Sequence, residues 1–317
     1  MRIKLWLTVG VLVSVLVAML IIATRGSQTQ DVIEVNLSER ETVTPVKKTS
    51  EFTFGQDNDN ILRVAIAGVI SPTKTLEDYR ELLTFIGEQL DRQVVFSLKP
   101  TYAEINALIQ GEFVDLGFVC SLAYVLGEED FGAELLVAPQ IDGQTVYYSY
   151  LIVPADHSAE TLADLRGASF AFTDPISNSG HLAPSYQLSL IEETPVSFFS
   201  RHIFTYAHDS SILAVAEKLV DGAAVDSLVY DQIVKDTPEI GAKTRVIAKW
   251  GPYGIPPVIV SPELDPDIKK SLQDFFLDVH NSETGRRILD ELGIDKFVIV
   301  PDSAYDSVRE MKKVLES

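Results

Sequence analysis

Short apolar runs alternate with amphipathic stretches from Ile61 onward. The runs ILRVAIAG (61–68), VVFSL (94–98), VDLGFV (114–119) and ELLVAP (134–139) have the length and β-branched content of buried strands. Between them, apolar residues recur at helical spacing, as in residues 76–90. Strands that alternate with helices in this way predict an α/β chain with a substantially parallel sheet.

A second series of elements follows the long apolar run TVYYSYLIVP at 145–154. Strands are predicted at 169–173, 202–206, 223–227, 244–249 and 256–262, with helices after Gly180, from His208 and over 264–292. The runs at 145–154 and 256–262 bracket one strand–helix unit inside another, which predicts two lobes joined by two crossovers. We assign residues 61–153 and 251–317 to lobe 1 and residues 154–250 to lobe 2.

The first 60 residues follow a different pattern. No residue from Leu5 to Ala23 is charged, and at 1.5 Å per residue this run spans about 28 Å, close to a bilayer core. Arg2 and Lys4 precede it, and residues 21–25 offer a poor signal-peptidase site, so we expect residues 1–23 to be an uncleaved anchor with the rest outside the cytoplasm. Cleavage is the alternative. The polar residues 24–60 predict a flexible tether.

Composition and charge limit the function. The chain is 46% apolar and 23% charged, which is typical of a globular protein. Its net charge of −20 opposes nucleic acid or an anionic lipid surface as a partner. A single cysteine and five histidines without metal-site spacing exclude a disulfide framework and a cysteine-rich metal site. Common catalytic motifs such as G-x-S-x-G and H-E-x-x-H do not occur, so we expect no enzyme, cofactor or metal.

Four predicted strands end where a helix begins with small or polar residues. These junctions contain Ser71, Cys120 with Ser121, the loop Ser177-Asn178-Ser179-Gly180, and His208. Free N–H groups at helix N-termini suit an anion, although each junction alone is equally explained as a helix cap. Because ligands of such α/β chains bind at strand carboxyl ends, the four junctions together predict an anion site without basic side chains.

Several other residues are candidates with two interpretations. We expect the His208 imidazole at the entrance of a cleft, where an anion would offset its unfavourable position at a helix N-terminus. Asp226 either caps the next helix or accepts a hydrogen bond from a protonated ligand. Tyr102 and Tyr124 either wall the pocket or belong to the core.

Cys120 also has two interpretations. It is either a buried or pocket-lining side chain, which we favour, or a thiol with a lowered pKa at a helix N-terminus. The second case would suit a thiophilic ligand or a nucleophile, although no histidine and asparagine accompany it in a recognisable arrangement.

The ordered segments resemble the phosphonate/phosphite/phosphate-binding proteins of ABC transporters, which are two-lobed periplasmic binding proteins. The likeness rests on Ser71-Pro72, Tyr102 before INALIQGEFVDLGFV, CSLAYVLG (120–127), FTDPISNSG (172–180), HDSSILAVAEKLVDGAAVDS (208–227) and KFVIVPDSAYDSVREM (296–311). It implies a type II periplasmic-binding-protein-like α/β fold with two hinge crossovers, here preceded by one N-terminal transmembrane helix.

The resemblance also implies roles for individual residues. Ser177, Asn178 and Ser179 would bind the phosphoryl oxygens, His208 would contact the same group, and Asp226 matches the carboxylate of the family's site. Tyr102 and Tyr124 match pocket tyrosines. Asn178 and Cys120 depart from the commonest pattern, and related arsenite sensors use a pocket cysteine.

We therefore expect a membrane-anchored, extracytoplasmic and monomeric solute-binding protein that captures phosphonate, phosphite or phosphate and delivers it to an ABC permease. The alternative is a sensor of arsenite or phosphate that signals to a membrane kinase. An enzyme that uses Cys120 as its nucleophile ranks third.

Overall fold

The computed structural model describes residues 34–36, 60–67 and 72–317. The predicted anchor, most of the predicted tether and Ser71 lie outside these residues. Across the described ranges, no helix is long and apolar enough to cross a membrane. All of these described residues belong to one compact unit.

The strands of this unit fall into two sheets. In chain order they are β1 (Glu34–Asn36), β2 (Ile61–Ala67), β3 (Gln93–Lys99), β4 (Leu116–Phe118), β5 (Glu134–Gln140), β6 (Val146–Pro154), β7 (Ser169–Phe172), β8 (Arg201–Phe204), β9 (Gly222–Asp226), β10 (Thr244–Gly254), β11 (Val258–Val260) and β12 (Lys296–Val298). The first sheet has the order β1-β3-β2-β4-β11-β5-β12, and the second has the order β10-β6-β9-β7-β8.

Helices connect the strands and cover the sheets. They are α1 (Pro72–Leu90), α2 (Tyr102–Gln110), α3 (Ser121–Phe131), α4 (Ala183–Ser189), α5 (Pro195–Phe198), α6 (His208–Ala216), α7 (Ser227–Asp236), α8 (Pro238–Lys243), α9 (Pro266–Asp278), α10 (Glu283–Leu292) and α11 (Asp306–Glu316). Short 3₁₀ turns lie at Leu162–Leu165, Val279–Asn281 and Asp302–Tyr305, and a π turn lies at Asn178–Leu182.

Each sheet has a parallel centre, which confirms the α/β prediction. In the first sheet β2 pairs in parallel with β3 and β4, and in the second β7 pairs in parallel with β8 and β9. These strands are joined through helices, as parallel connections require. The antiparallel partners include β11, which returns to the first sheet, and the β6–β10 pair of the second sheet.

The observed boundary between the sheets differs from the sequence assignment. Residues 146–153 and 251–254 were assigned to lobe 1, but β6 and β10 pair with each other along the edge of the second sheet. The apolar pattern identified both strands, but it contains no information about which sheet a strand joins. The chain therefore passes to the second sheet before Val146 and returns after Gly254. The division into two hinged lobes stays a prediction.

One short strand lies within the predicted tether. Residues Glu34–Asn36 pair antiparallel with β3, in register with residues 95–97. An edge strand such as β3 presents unpaired N–H and C=O groups, so an extended polar segment can add to it without a hydrophobic pattern of its own. That is why the sequence pattern did not predict β1.

The first sheet packs closely against α2 at a glycine. A Cβ atom on Gly117 of β4 would lie 2.7 Å from Ile109 Cδ1 and 3.0 Å from Ile105 Cγ2. Both isoleucines are fully buried on α2. The helix that presents Tyr102 is therefore held at a distance from the sheet that only glycine permits.

We expect Gly117→Ala to lower the free energy of unfolding by about 1–3 kcal/mol, because an extra methyl group in a filled core displaces α2. Ile109→Val alone should cost about 0.5–1.5 kcal/mol. The double variant should lose less than the sum of the two, since the valine removes the closest overlapping atom. Urea denaturation measures all three, and strict additivity would contradict this account of the packing.

Candidate functional site

Polar residues from both sheets meet in a buried region between strand ends and helix starts. The first sheet contributes the starts of α2 and α3, and the second contributes the π turn and the starts of α6 and α7. The buried polar residues here are Ser121, Ser149, Thr173, Asp174, Ser177, Asn178, Ser179, His208 and Asp226. These helix starts supply backbone N–H groups and the positive ends of helix dipoles.

The loop Ser177–Gly180 is shaped by its own hydrogen bonds. The Gly180 N–H donates to Ser177 Oγ at 3.1 Å, so Ser177 does cap the π turn. A Cβ atom on Gly180 would overlap the Thr173 side chain, which explains the glycine. The Ser149 hydroxyl donates to Ser179 O at 2.6 Å and ties the loop to β6. Capping and ligand binding are therefore compatible in this loop.

Asn178 and Ser121 are joined through a tyrosine. The Asn178 side-chain amide donates to the Tyr147 hydroxyl at 2.9 Å, and that hydroxyl lies 3.4 Å from Ser121 Oγ. Ser121 Oγ donates to Gly254 O at 2.6 Å. Sequence reasoning missed Tyr147 and Ser149. The sequence signal that could have identified them is the alternation of side chains along a strand, because residues 147 and 149 lie on the same face.

Cys120 is a buried thiol with hydrogen-bond partners. Its Sγ donates to Ile176 O at 3.1 Å and accepts from the Ala123 N–H at 3.4 Å. Burial raises the thiol pKa to about 12, although the Ala123 N–H opposes this shift. The thiol is therefore protonated at neutral pH. The structure favours the pocket-lining interpretation over a thiolate, because desolvation outweighs the helix N-terminus.

His208 lies in the core, so the expectation that it stands at a cleft entrance is wrong. Its side chain is only 2% exposed, and it lines a small cavity together with Ala67 and Tyr102, which end β2 and begin α2. His208 Nδ1 accepts the Asp226 backbone N–H at 2.9 Å, which places the ring proton on Nε2. Burial lowers the imidazole pKa to about 3. His208 is thus a neutral donor at physiological pH.

Asp226 fits both interpretations from the sequence. Its Oδ1 caps α7 by accepting the N–H groups of Leu228 at 2.7 Å and Val229 at 3.4 Å. Burial raises the pKa of the carboxyl to about 7, against the lowering effect of those N–H groups. Near neutral pH this carboxyl can therefore either donate or accept a proton.

Tyr102 closes the region from the first sheet. It is buried, and burial together with the nearby Cys120 and Asp226 raises its pKa well above 10. Its backbone N–H donates to Asp174 at 3.4 Å. A cavity of about 10 Å³, enough for roughly one water, is lined by Ala67, Pro100, Tyr102, Thr173, Asp174, Tyr206, Ala207 and His208. Among the described residues, no lysine or arginine lines it.

Tyr124 is the sequence candidate that the structure separates from the others. Its hydroxyl donates to Asp302 at 2.6 Å, and its ring packs against Tyr305 with centroids 4.8 Å apart. The side chain therefore joins α3 to the C-terminal segment. Of the remaining candidates, Ser71 lies outside the described residues, and the others all belong to the buried region.

The family model for the periplasmic substrate-binding protein of phosphonate ABC transporters matches residues 64–305. The chain belongs to this family. It is 25% identical over 263 residues to the phosphonates-binding periplasmic protein of Escherichia coli, covering 81% of this chain and 77% of that protein.

Solved structures share the fold. A binding protein component of an ABC phosphonate transporter from Pseudomonas aeruginosa matches with a TM-score of 0.75 and 24% identity, over 80% of this chain and 85% of that one. PhnD1 from Prochlorococcus marinus, in complex with methylphosphonate, matches with a TM-score of 0.74 and 18% identity, over 82% and 99%. The resemblance seen in the sequence is therefore confirmed. As a family member, the chain is the extracytoplasmic substrate-binding component of an ABC transporter.

We expect the buried carboxyl to make this family member less stable as the pH rises. Folded Asp226 holds its proton up to about pH 7, whereas an unfolded aspartate loses it near pH 4. The folded state therefore binds more protons in that interval, and its stability falls by a few kcal/mol from about pH 4 to 8. Asp226→Asn cannot ionise and should escape this loss.

Denaturation of ligand-free protein across this pH range measures the difference between the two proteins. His208 titrates in the opposite sense but is present in both, so its contribution cancels. Parallel stability curves would show that Asp226 is already ionised in the folded state.

Proposed function

We propose that this chain captures a small phosphorus oxyanion, namely a phosphonate, phosphite or phosphate, between its two sheets and delivers it to an ABC permease. The observation that carries the proposal is the buried set of neutral donors around the Ser177–Gly180 loop, His208 and Asp226. The family of the chain and the methylphosphonate-bound relative support the same class of ligand.

These hydrogen-bond donors suit an anion because they are uncharged, so the site needs no counter-ion when it is empty. His208 presents Nε2–H as a neutral group, since its Nδ1 is occupied and its pKa is low. The serine hydroxyls and helix N-termini add further donors at fixed positions. Hydrogen bonds from such groups to an ion are stronger than those between neutral partners.

Asp226 gives the site a way to distinguish ligands. As a carboxylate it would accept a hydrogen bond from a protonated ligand oxygen or pair with a ligand amine. As a carboxylic acid it would donate to an oxyanion. With a pKa of about 7, the ligand decides which form is bound.

The function proposed is binding without catalysis. Cys120 was the residue that favoured an enzyme or an arsenite sensor, and its protonated, hydrogen-bonded thiol supports neither. A phosphate sensor that uses the same site differs only in its membrane partner. We propose the permease as that partner, on the basis of the family.

The first test concerns the loop. Ser177→Ala/Ser179→Ala should weaken oxyanion binding by roughly two to four powers of ten, since each hydroxyl bond to an ion contributes about 1.5–3 kcal/mol. Titration calorimetry with methylphosphonate, phosphite and phosphate measures the affinity. Ser185→Ala is the matched control, because its buried hydroxyl has no protein partner in the described structure.

The loop test has a clear contrary outcome. Loss of a cap alone would lower folding stability by about 1 kcal/mol and leave affinity unchanged. A double variant with a lower melting temperature and full affinity would mean that the loop is only a well-capped turn.

We also propose that residues 5–23 anchor the protein and that it acts as a monomer. The support is the uncharged apolar run after Arg2 and Lys4. We expect the exported chain to remain with membranes after a high-salt wash and to be released by detergent as a monomer. A chain that begins at Thr24 is the control. Release of the native protein as a form beginning near Thr24 would favour cleavage instead.

A further inference from the structure

Two side-chain oxygens in the buried region, Thr173 Oγ1 and Asn178 Oδ1, lack a protein partner in the described structure, and of these only the amide oxygen is purely an acceptor. Asn178 is 0% exposed, and its Oδ1 makes no hydrogen bond within the described chain. Its Nδ2 is engaged by the Tyr147 hydroxyl at 2.9 Å. Buried side-chain oxygens are nearly always paired, so a lone one at a ligand site requires an explanation.

The hydrogen bond to Tyr147 shows which atom of the Asn178 amide is left over. Gly254 O can only accept, and at 2.6 Å it takes the single proton of the Ser121 hydroxyl. Ser121 Oγ lies 3.4 Å from the Tyr147 hydroxyl, and with its proton directed to Gly254 O it can donate only weakly to the tyrosine. The Tyr147 oxygen accepts from Asn178 Nδ2 at 2.9 Å, and this orientation of the amide leaves Oδ1 for another donor.

The neighbouring groups do not supply that donor. The Cys120 S–H is directed to Ile176 O, and Ser149 donates to Ser179 O. The Asn178 backbone N–H points to the Cys120 sulfur. These three protons are therefore already used, and the remaining donors of the site, the Ser177 and Ser179 hydroxyls and His208 Nε2–H, make no hydrogen bond to Asn178 Oδ1.

We propose that Asn178 Oδ1 accepts a hydrogen bond from the ligand, and that the site thereby selects oxyanions that retain a proton. The ligand class is the monoanion with a P–OH group, such as hydrogen methylphosphonate or dihydrogen phosphate. This inference rests on the proposed function and makes it more specific. Asn178 is then a specificity-determining residue, and Tyr147 is a positioning residue that holds its amide.

Other ionisable groups around the ligand are compatible with this assignment. Tyr102, Tyr147 and Cys120 have raised pKa values and stay protonated. His208 is neutral. Asp174 and Asp226 have raised pKa values. Both Asp174 oxygens already accept backbone N–H groups, whereas Asp226 accepts its two N–H groups through Oδ1 alone, so Asp226 is the rival acceptor for the ligand proton that a test must separate from Asn178.

The test compares methylphosphonate with methanesulfonate, which has the same shape and a single negative charge but no proton to donate. At a pH below the second pKa of methylphosphonate, both ligands carry one negative charge and differ only in the P–OH group. The full chain should bind methylphosphonate at least about a hundredfold more tightly, because a site built to accept a proton rejects an analogue that lacks it.

Two variants test Asn178 itself. In Asn178→Ser, the new hydroxyl group can rotate to donate a hydrogen bond to the ligand or to accept one from it. The preference for methylphosphonate over methanesulfonate should therefore fall at least tenfold. In Tyr147→Phe, the Asn178 amide loses its hydrogen bond to the tyrosine and can turn Nδ2 toward the ligand. The preference for methylphosphonate should again fall at least tenfold. Melting curves verify that each variant is folded.

Asp226→Asn is the comparison that decides between the two acceptors. If Asp226→Asn abolishes the preference for methylphosphonate while Asn178→Ser and Tyr147→Phe retain it, Asp226 accepts the hydrogen bond from the ligand and the assignment to Asn178 is wrong. Equal binding of methylphosphonate and methanesulfonate by the native chain would also overturn proton selection, yet leave oxyanion capture intact. Failure to bind any phosphorus oxyanion would instead contradict the proposed function.

Discussion

The hydrogen bond from the Asp226 backbone N–H to His208 Nδ1 joins the end of β9 to the start of α6. It requires an unprotonated Nδ1, so it can exist only while the imidazole is neutral. Because that bond positions the ring, the donor at Nε2 and the cap that Asp226 forms on α7 are fixed together. Protonation of His208 would place two donors face to face and disturb both helix starts at once.

Burial moves every ionisable group of the site toward its uncharged form. The pKa of His208 is lowered, while those of Asp226, Tyr102 and Cys120 are raised, and desolvation is the main cause each time. A pocket of this kind contains little charge of its own before a ligand enters. The pocket can hold a monoanion through dipoles, whereas the second negative charge of a dianion would have to be neutralised by a proton.

Much of the fold was predictable because local patterns determine it. The apolar runs identified the strands, and the small residues at 177–180 identified the loop. What the sequence could not give is the set of contacts between segments far apart in the chain. Tyr147 and Ser149 looked like ordinary strand residues, and only the register with β9, which sets Ser149 opposite Asp226, brings them to the site.

The same limitation explains the two misplaced candidates. A residue at the start of a helix is expected to be exposed, but His208 is buried and shares a small cavity with Ala67 and Tyr102. Tyr124 follows a site residue closely in sequence, yet α3 directs its hydroxyl to Asp302, which is more than 170 residues further along. Neither outcome can be read from spacing alone.

The absence of lysine and arginine around the described cavity has a kinetic consequence. The chain as a whole carries a net charge of −20, so an approaching anion is repelled at long range and attracted only at contact. Dissolved salt screens interactions beyond about 10 Å at 0.1 M, but it hardly reaches bonds inside a closed pocket. Moderate salt should therefore speed ligand capture by this protein, whereas it slows capture at sites that attract anions with basic residues.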